Sequence, residues 1–336
     1  MRFLLDAEQR AFTDSLHAML SAANTPAVIR DWSRGDHASG RALWSRIAEA
    51  GVFGLAVPEE YGGLGPHPVE LALSFVELGR HAVPGPLVET VTAAVLLGAP
   101  PQAGRFLPGL AAGTDLATVA ALPRPAPGAV PSLAGQALDG DAATLRLTVA
   151  PDGLYLSTAG PVRRSLDPAR RLTPLTPAGE PLVPDPPFDR ALLWARLATA
   201  AQALGTGLAL LDRTVAYAGQ RTQFGVPIGS FQAVKHRLAD ARIALEFARP
   251  LVLGAAVALH PADVAAAKLT ACEAAYATAR AALQLHGAIG YTAEYDLSLW
   301  LTKARALRAA WGTPEQCREV VLDDAVKGPW DRGRGR

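Results

Sequence analysis

The fold is decided by RTQFGVPIGSFQAVKHRLADA, the stretch at residues 221–241. The pattern predicts that one helix ends near Gly219 and that another begins at Ser230, so that the turn between them presents an Arg, an amide and an aromatic ring. An Arg beside a helix N-terminus suits a phosphate group, because both supply hydrogen-bond donors and positive potential. An ordinary interhelical turn, with Phe224 packed into a bundle and Arg221 solvated, explains the same residue types. The turn alone leaves both interpretations open.

Strong helical periodicity extends through the last 150 or so residues around this stretch. It predicts five helices, over residues 189–219, 230–257, 261–287, 292–310 and 313–327. The start signals agree, since Asp189, Ser230 and Thr292 are residue types that cap helices and Thr313 opens a capping box with Gln316. Long helices with short connections indicate an antiparallel helix bundle.

The first half of the chain predicts two further domains. Its start is helical, with a capping box at Asp6 and Gln9 followed by apolar positions at helical spacing. Later, short runs at 144–149 and 153–157 alternate apolar and polar residues between Pro-rich turns, which predicts few strands with exposed edges. The fold class is therefore mainly α with a small β domain. The predicted parts are a helical domain at 1–113, a reduced β domain at 114–187, the bundle at 188–330 and a frayed tail at 331–336.

The composition argues against several classes of protein. The 336 residues carry 32 Lys and Arg against 31 Asp and Glu, a net charge of +1, without a basic block, so no nucleic-acid partner is expected. Cys272 and Cys317 are far apart in helix-like surroundings, which argues against a disulfide framework or a zinc site and favours a reducing compartment, the cytoplasm. The seven His residues show no metal-binding spacing, so no metal is expected.

Two segments bear on membrane association. The chain begins MRFLLD and turns acidic at Asp6 before an apolar run builds, so no signal peptide is expected. Residues 191–211 are long and apolar, yet Arg196 and Gln202 lie near their middle, where a charge is costly in lipid. A buried bundle helix is the expectation for this segment, and a membrane partner is not.

Beyond its residue types, the 221–241 stretch resembles the signature of the acyl-CoA dehydrogenase family. The matching residues are Arg221, Gln223, Phe224, Gly225, Ile228, Phe231, Gln232, Val234, His236, Ala239 and Asp240. QLHGAIGYTAE at 284–294 is similar to the family's Gly-rich helix end, and segments at 57–65 and 77–80 are similar to its N-terminal landmarks. The resemblance covers about three quarters of the chain. It implies an N-terminal helical domain, a middle β domain and a C-terminal four-helix bundle that assembles as a tetramer around FAD.

The same resemblance implies half of a cofactor site. Six positions of this chain match family residues that reach across a dimer interface to the pyrophosphate and adenosine of a neighbour's FAD. These positions are Arg221, Gln223, Phe224, Gln284, Gly287 and Ala288, where Ala288 replaces a second Gly. Thr313, after Gly312, matches a family Thr near the flavin.

The catalytic base of the family is missing from both of its expected places. Family dehydrogenases remove the α-proton of a CoA thioester with a Glu while hydride passes from the β-carbon to the flavin. The residue before Gly312-Thr313 is Trp311, and the residue before the Arg on the first bundle helix is Ala195. Neither side chain can accept a proton. The middle domain also lacks segments that resemble the family loops that hold the flavin ring.

These matches and departures resemble the short, non-catalytic subunit of heteromeric acyl-CoA dehydrogenases of actinobacteria, which pair with a full-length partner as an α2β2 tetramer. The resemblance implies that the partner supplies the Glu and the flavin-ring loops, and that the substrate is an acyl-CoA such as a steroid side-chain thioester. An electron-transferring flavoprotein is the family's usual acceptor. Two alternatives stay open: a redox-inactive homo-oligomeric scaffold or binding protein, and a self-sufficient flavoenzyme whose base is Asp189 or Glu294.

Overall fold

The computed structural model describes residues 4–122 and 135–327. The helices are α1 (Ala7–Ser21), α2 (Thr25–Arg34), α3 (Ala38–Glu49), α4 (Pro68–Arg80), α5 (Leu87–Leu96), α6 (Gln102–Ala111), α7 (Phe188–Gln220), α8 (Gln232–Ala258), α9 (Pro261–His286), α10 (Leu297–Ala309) and α11 (Pro314–Lys327). The strands are β1 (Ala117–Ala121), β2 (Gln136–Leu138), β3 (Leu145–Ala150), β4 (Gly153–Ala159), β5 (Leu172–Pro177), β6 (Thr222–Gln223) and β7 (Val226–Pro227). The fold class is therefore confirmed as mainly α with a small β domain.

The chain divides into two compact units. The bundle unit contains the described residues up to Asp14, then 72–82 and the described residues from Arg196 to Lys327. The sheet unit contains the described residues of 15–71 and 83–195. The domain limits expected from the sequence, at 113, 187 and 330, stay a prediction.

In the bundle unit, α4 and α7 pack backbone against backbone. A Cβ added to Gly205 would collide with the carbonyl oxygen of Val76, and one added to Gly79 would collide with the carbonyl oxygen of Gln202. The hydroxyl of Thr206 donates to the Gly79 carbonyl at 3.3 Å, across 127 positions of the sequence. Glycine at both contact points lets the helix axes approach this closely, as at small-residue helix crossings generally.

The sheet unit holds five strands in the order β1-β3-β4-β5-β2. β1 pairs with β3 in parallel, and the remaining neighbours pair antiparallel. The strand-like runs expected at 144–149 and 153–157 are confirmed as β3 and β4. Part of the expected β region, residues 123–134, lies outside the described residues.

Within the sheet unit, a polar network joins the last turn of α2 to the residues that follow β2 and precede β5. Asp139 is fully buried and its Oδ1 accepts the N–H of Arg171 at 3.1 Å. The Arg171 guanidinium donates to Asp141 at 2.7 Å and to the carbonyl of Ser33 at 3.3 Å. Burial raises the pKa of Asp139 to about 8, against smaller opposing effects of the Trp32 indole N–H and the Arg171 N–H. This carboxyl is therefore mostly protonated at neutral pH.

Two expected capping boxes are confirmed. The N–H of Gln9 donates to Asp6 Oδ1 at 2.8 Å, and the N–H of Asp6 donates back to Gln9 Oε1 at 3.2 Å. At α11 the N–H of Gln316 donates to Thr313 Oγ1 at 3.3 Å, and the N–H of Thr313 donates to Gln316 Oε1 at 2.9 Å. Reciprocal bonds of this kind satisfy donors that a helix N-terminus leaves unpaired.

Three other start signals are wrong. Asp189 lies inside the first turn of α7, which already begins at Phe188, so it is not the cap. Ser230 lies in a 3₁₀ turn and its hydroxyl donates to the carbonyl of Pro227, so α8 begins after Phe231 instead. Thr292 donates to the carbonyl of Ile289, and α10 begins only at Leu297. Both hydroxyls donate to a carbonyl of the preceding turn, and neither caps the start of the next helix.

The tail expected at 331–336 lies outside the described residues. Within the described part of the chain, no helix is both long enough and apolar enough to cross a bilayer. The apolar run at 191–211 forms part of α7 and is largely buried.

Candidate functional site

The residues after α7 fold into a two-stranded hairpin with an exposed tip. β6 and β7 pair with Thr222 opposite Pro227 and Gln223 opposite Val226. Phe224 and Gly225 connect them, with φ of +54° and +81°, the combination that two-residue hairpin turns require. A positive φ is unfavourable for Phe, and its side chain is 92% exposed. An aromatic ring held this far into solvent is suited to contact another surface.

Arg221 stands at the base of the hairpin. Its N–H donates to the carbonyl of Tyr217 at 2.8 Å, and its own carbonyl accepts the N–H of Ile228 at 2.8 Å, which closes the loop. The side chains of Arg221 and Gln223 are exposed. Within the described residues the Arg221 guanidinium forms no ion pair, so its charge is available to a ligand.

The second expected segment is the end of α9. Gln284 is exposed on the last turn of the helix, and Gly287 ends it with φ +63° and ψ −140°, a backbone conformation that essentially only glycine adopts. A Cβ added to Gly287 would meet nothing within 4 Å, so the glycine is required by the backbone and not by crowding. Ala288 follows, exposed, in a 3₁₀ turn at Gly287–Tyr291.

These two segments are in contact with each other. The rings of Tyr217 and His286 stack at a centroid distance of 4.1 Å and an interplanar angle of 23°, and the Tyr217 hydroxyl donates to the His286 carbonyl at 3.4 Å. Tyr217 lies one turn before Arg221, and His286 directly precedes Gly287. The fold therefore connects the two segments that carry six of the seven expected cofactor residues.

The seventh, Thr313, has a structural role at the start of α11. Its hydroxyl and N–H form the capping box with Gln316 described above. Whether its position also serves a flavin stays a prediction from the resemblance.

The two expected base positions are connected through one arginine. Ala195 is fully buried on α7, and Arg196 beside it donates from Nε to the carbonyl of Trp311 at 3.1 Å. Trp311 has φ +57°, which is costly for a residue with a Cβ. The next carbonyl, Gly312, accepts from the buried Nζ of Lys268 at 2.6 Å. Two cations thus hold consecutive carbonyls of a turn that carries no carboxylate.

The donor set of the hairpin and the α9 end suits a phosphate-bearing ligand. A guanidinium, the amides of Gln223 and Gln284 and the exposed backbone after α9 provide directional hydrogen-bond donors with one positive charge. The exposed ring of Phe224 adds an apolar surface beside them.

Family models match both helical parts of the chain. The acyl-CoA dehydrogenase N-terminal domain matches residues 6–114, and the acyl-CoA dehydrogenase C-terminal domain matches residues 188–325. This chain belongs to the acyl-CoA dehydrogenase family. The fold and the recognition expected from the 221–241 stretch are therefore confirmed.

Acyl-CoA dehydrogenase relatives cover nearly the whole chain. Acyl-CoA dehydrogenase IpdE2 of Mycobacterium tuberculosis is 34% identical over 329 residues, which are 96% of this chain and 98% of that protein. A solved variant of the Tcur3481-Tcur3483 steroid ACAD is 27% identical, with a TM-score of 0.80 over 96% of this chain and 98% of that one. Glutaryl-CoA dehydrogenase from Mycobacterium smegmatis, solved in complex with FADH2, shares the fold at 21% identity and a TM-score of 0.78, over 96% of this chain and 95% of that one.

The roles of three side chains of this acyl-CoA dehydrogenase family member are not predicted from the sequence. Tyr217 lies outside the family-like segments, His286 lies inside one of them without a predicted role, and Lys268 has the pattern of an ordinary charge on a helix although it is buried. Tyr217 and His286 meet across 69 positions and Lys268 meets Gly312 across 44, separations that periodicity does not report. A Lys among alanines on α9 is the one signal that the sequence offers.

Proposed function

We propose that this chain is the FAD-site-completing, base-lacking subunit of a heterotetrameric acyl-CoA dehydrogenase. A full-length partner would supply the catalytic Glu and the loops around the flavin ring. One observation carries the proposal: the hairpin and the α9 end form an exposed, donor-rich surface, whereas both base positions hold side chains without a carboxylate, Ala195 and Trp311.

The residues of this surface fit the adenosine diphosphate half of FAD. Arg221 would neutralise the diphosphate, while Gln223, Gln284 and the backbone at Gly287 and Ala288 would donate hydrogen bonds to it. Phe224 would pack against the neighbouring chain that holds the rest of the cofactor. When bound, FAD supplies the acceptor for the hydride removed from the acyl chain.

Proton removal is assigned to the partner. A general base must lie within hydrogen-bond reach of the substrate proton and must be able to accept it. At the turn of Trp311 and Gly312 the polar groups are main-chain carbonyls that accept hydrogen bonds from Arg196 and Lys268, and neither Trp311 nor Gly312 carries a carboxylate. The alternative bases, Asp189 and Glu294, are both exposed.

An exposed apolar stripe on α8 supports assembly with another chain. Ile243, Phe247 and Leu251 recur at four-residue spacing on one face of the helix, and Phe247 is 70% exposed. Large apolar side chains in a contiguous row indicate an interaction surface. We propose that this face contributes to the α2β2 assembly.

The substrate proposal is a CoA thioester with a bulky acyl group, such as a steroid side chain. Its support is the similarity to the solved steroid ACAD at 27% identity. An electron-transferring flavoprotein is the proposed acceptor, on the family resemblance. The proposed location is the cytoplasm, which the two free, buried cysteines Cys272 and Cys317 favour.

Co-expression with a full-length family member tests the proposal. The complex is purified through a tag on this chain, and its FAD content is measured from absorbance at 450 nm against protein concentration. We expect a yellow 1:1 complex with about one FAD per pair and a colourless lone chain. Failure of the two chains to associate would favour the scaffold alternative, and a yellow, active lone chain would favour a base such as Glu294.

Arg221→Ala in the same complex tests the residue assignment. Loss of a charge-assisted hydrogen bond costs roughly 1.5 to 3 kcal/mol, so FAD should bind at least about tenfold more weakly. Arg318→Ala is the matched control, because Arg318 is also exposed but lies on α11 in an ion pair with Glu315. Equal FAD retention in the two variants would contradict the assignment of Arg221 to the diphosphate.

A further inference from the structure

His286 is a buried imidazole directly beside the proposed cofactor surface. It is 4% exposed and lies between two tyrosines, with ring centroids 4.1 Å from Tyr217 and 5.6 Å from Tyr295. The Tyr217 pair is nearly parallel at 23°, while the Tyr295 pair is tilted at 49°. A Cβ added to Gly290 would lie 3.1 Å from the His286 Cβ, so the turn after α9 packs directly on the same side chain.

The hydrogen bonds fix the tautomer of this histidine. Its Nδ1 lies 2.8 Å from the carbonyl oxygen of Ala282, which can only accept, so Nδ1 carries the proton. Nε2 is then an unprotonated acceptor, buried and without a hydrogen-bond partner within the described residues. The ring is held by one hydrogen bond and by its aromatic neighbours.

Each member of the stacked pair is bonded to a different part of the proposed surface. The Tyr217 carbonyl accepts the N–H of Arg221, the residue that opens the hairpin, at 2.8 Å. His286 is joined by its own peptide bond to Gly287, and its carbonyl accepts the Tyr217 hydroxyl. A displacement of either ring would therefore move the hairpin relative to the α9 end.

We propose that Tyr217 and His286 form a positioning pair that fixes the distance between the Arg221 hairpin and the turn at Gly287, so that both reach one ligand. This inference rests on the proposed function. Neither residue is assigned a contact with FAD or substrate. Flat rings at 4.1 Å constrain orientation as well as volume, whereas an aliphatic pair would fill the space without fixing the angle.

Hydrogen exchange on the lone chain tests the pair without a cofactor or a partner. Tyr217→Leu and His286→Leu remove the stack from either side, and Tyr217→Phe is the control that keeps the ring and loses the hydroxyl. We expect each Leu variant to accelerate exchange about tenfold in both segments, residues 221–228 and 284–291. Exchange in α10 should stay unchanged, and Tyr217→Phe should stay within about twofold of the parent chain.

A change confined to the segment that carries the substitution would overturn the proposal, because it would show that the two segments move independently. A milder variant guards against loss of folding. His286→Gln retains an N–H donor for the Ala282 carbonyl but cannot stack, and it should accelerate exchange in both segments in the same direction. Parent-like exchange in His286→Gln would likewise overturn the proposal.

Measuring the FAD affinity of the complex distinguishes a failure of this inference from a failure of the proposed function on which it rests. Tyr217→Leu should weaken FAD binding about tenfold while the FAD-saturated complex keeps its kcat within about twofold, the pattern of a positioning residue. If Arg221→Ala leaves FAD binding unchanged, the proposed function fails, and the exchange experiment still decides whether the pair couples the segments. If Arg221→Ala weakens binding and Tyr217→Leu does not, the positioning role alone fails.

Discussion

Asp139→Asn should remove a pH-dependent loss of stability from this protein. Asp139 is fully buried, and burial raises its pKa from an ordinary 3.8 to about 8. The folded chain therefore holds a proton on this carboxyl that the unfolded chain releases. Asn has the same shape, keeps an oxygen to accept the Arg171 N–H, and tolerates the positive φ of +54° at this position.

The magnitude follows from the difference in bound protons. Between about pH 4 and 8 the folded state binds one more proton than the unfolded state at Asp139. The free energy of unfolding then falls by about 1.4 kcal/mol for each unit of rising pH, and the loss reaches about 4 kcal/mol at pH 7. This contribution is fully present below pH 3.8 and is lost as pH rises towards 8. Asn makes no such contribution, so its advantage over Asp should grow with pH.

Urea unfolding at several values between pH 5 and 8, followed by circular dichroism, measures this difference. The free energy of unfolding of Asp139→Asn minus that of the parent should rise by about 1.4 kcal/mol per pH unit up to about pH 7. Asp212→Asn is the control, since it breaks an ion pair with Arg80 outside this network, and its pH profile should run parallel to that of the parent. Parallel pH profiles for the parent and Asp139→Asn would refute the reasoning.

Four further substitutions have defined outcomes. Gly205→Ala should lower the melting temperature sharply, by the equivalent of about 3 kcal/mol or more, because the added Cβ meets a main-chain carbonyl of α4. Gly219→Ala has open space around the added Cβ and should stabilise α7 by about 0.5 to 1 kcal/mol. Lys268→Met should cost about 2 to 3 kcal/mol in urea unfolding, since two carbonyls lose a charged donor. Burial lowers the pKa of His286, so the folded state binds fewer protons there and stability should fall as pH drops below 6.5; His286→Phe should reduce that acid sensitivity.

The parts of the fold that the sequence predicts well are those set by neighbouring residues. The box of Thr313 and Gln316 needs only four consecutive residues, and α9 was expected at 261–287 and occurs at Pro261–His286. The sequence predicts the start of α10 five residues early, at Thr292, because the polar and Gly residues there form a 3₁₀ turn whose stop signals resemble a helix cap.

Contacts between distant residues account for what the sequence does not predict. Arg196 and Trp311 are 115 positions apart. No local pattern indicates that Arg196, which follows the first expected base position, donates to the main chain of the second, Trp311. The motif at 221–241 identifies Arg221 and Phe224 as candidates, but the exposure of Phe224 at a hairpin tip depends on the packing of everything around it. Residue type indicates which side chains could bind a ligand, and the fold determines which of them meet.

The close contact between α4 and α7 has a consequence for how the chain folds during synthesis. Gly79 leaves the ribosome 127 residues before Thr206, its hydrogen-bond partner. At roughly 5 to 20 residues per second this is a delay of about 6 to 25 s. Throughout that time Val76 and Gly79, whose backbone packs against α7 in the finished protein, have no partner helix. The packing of α4 in the bundle unit therefore cannot be completed until α7 has been made.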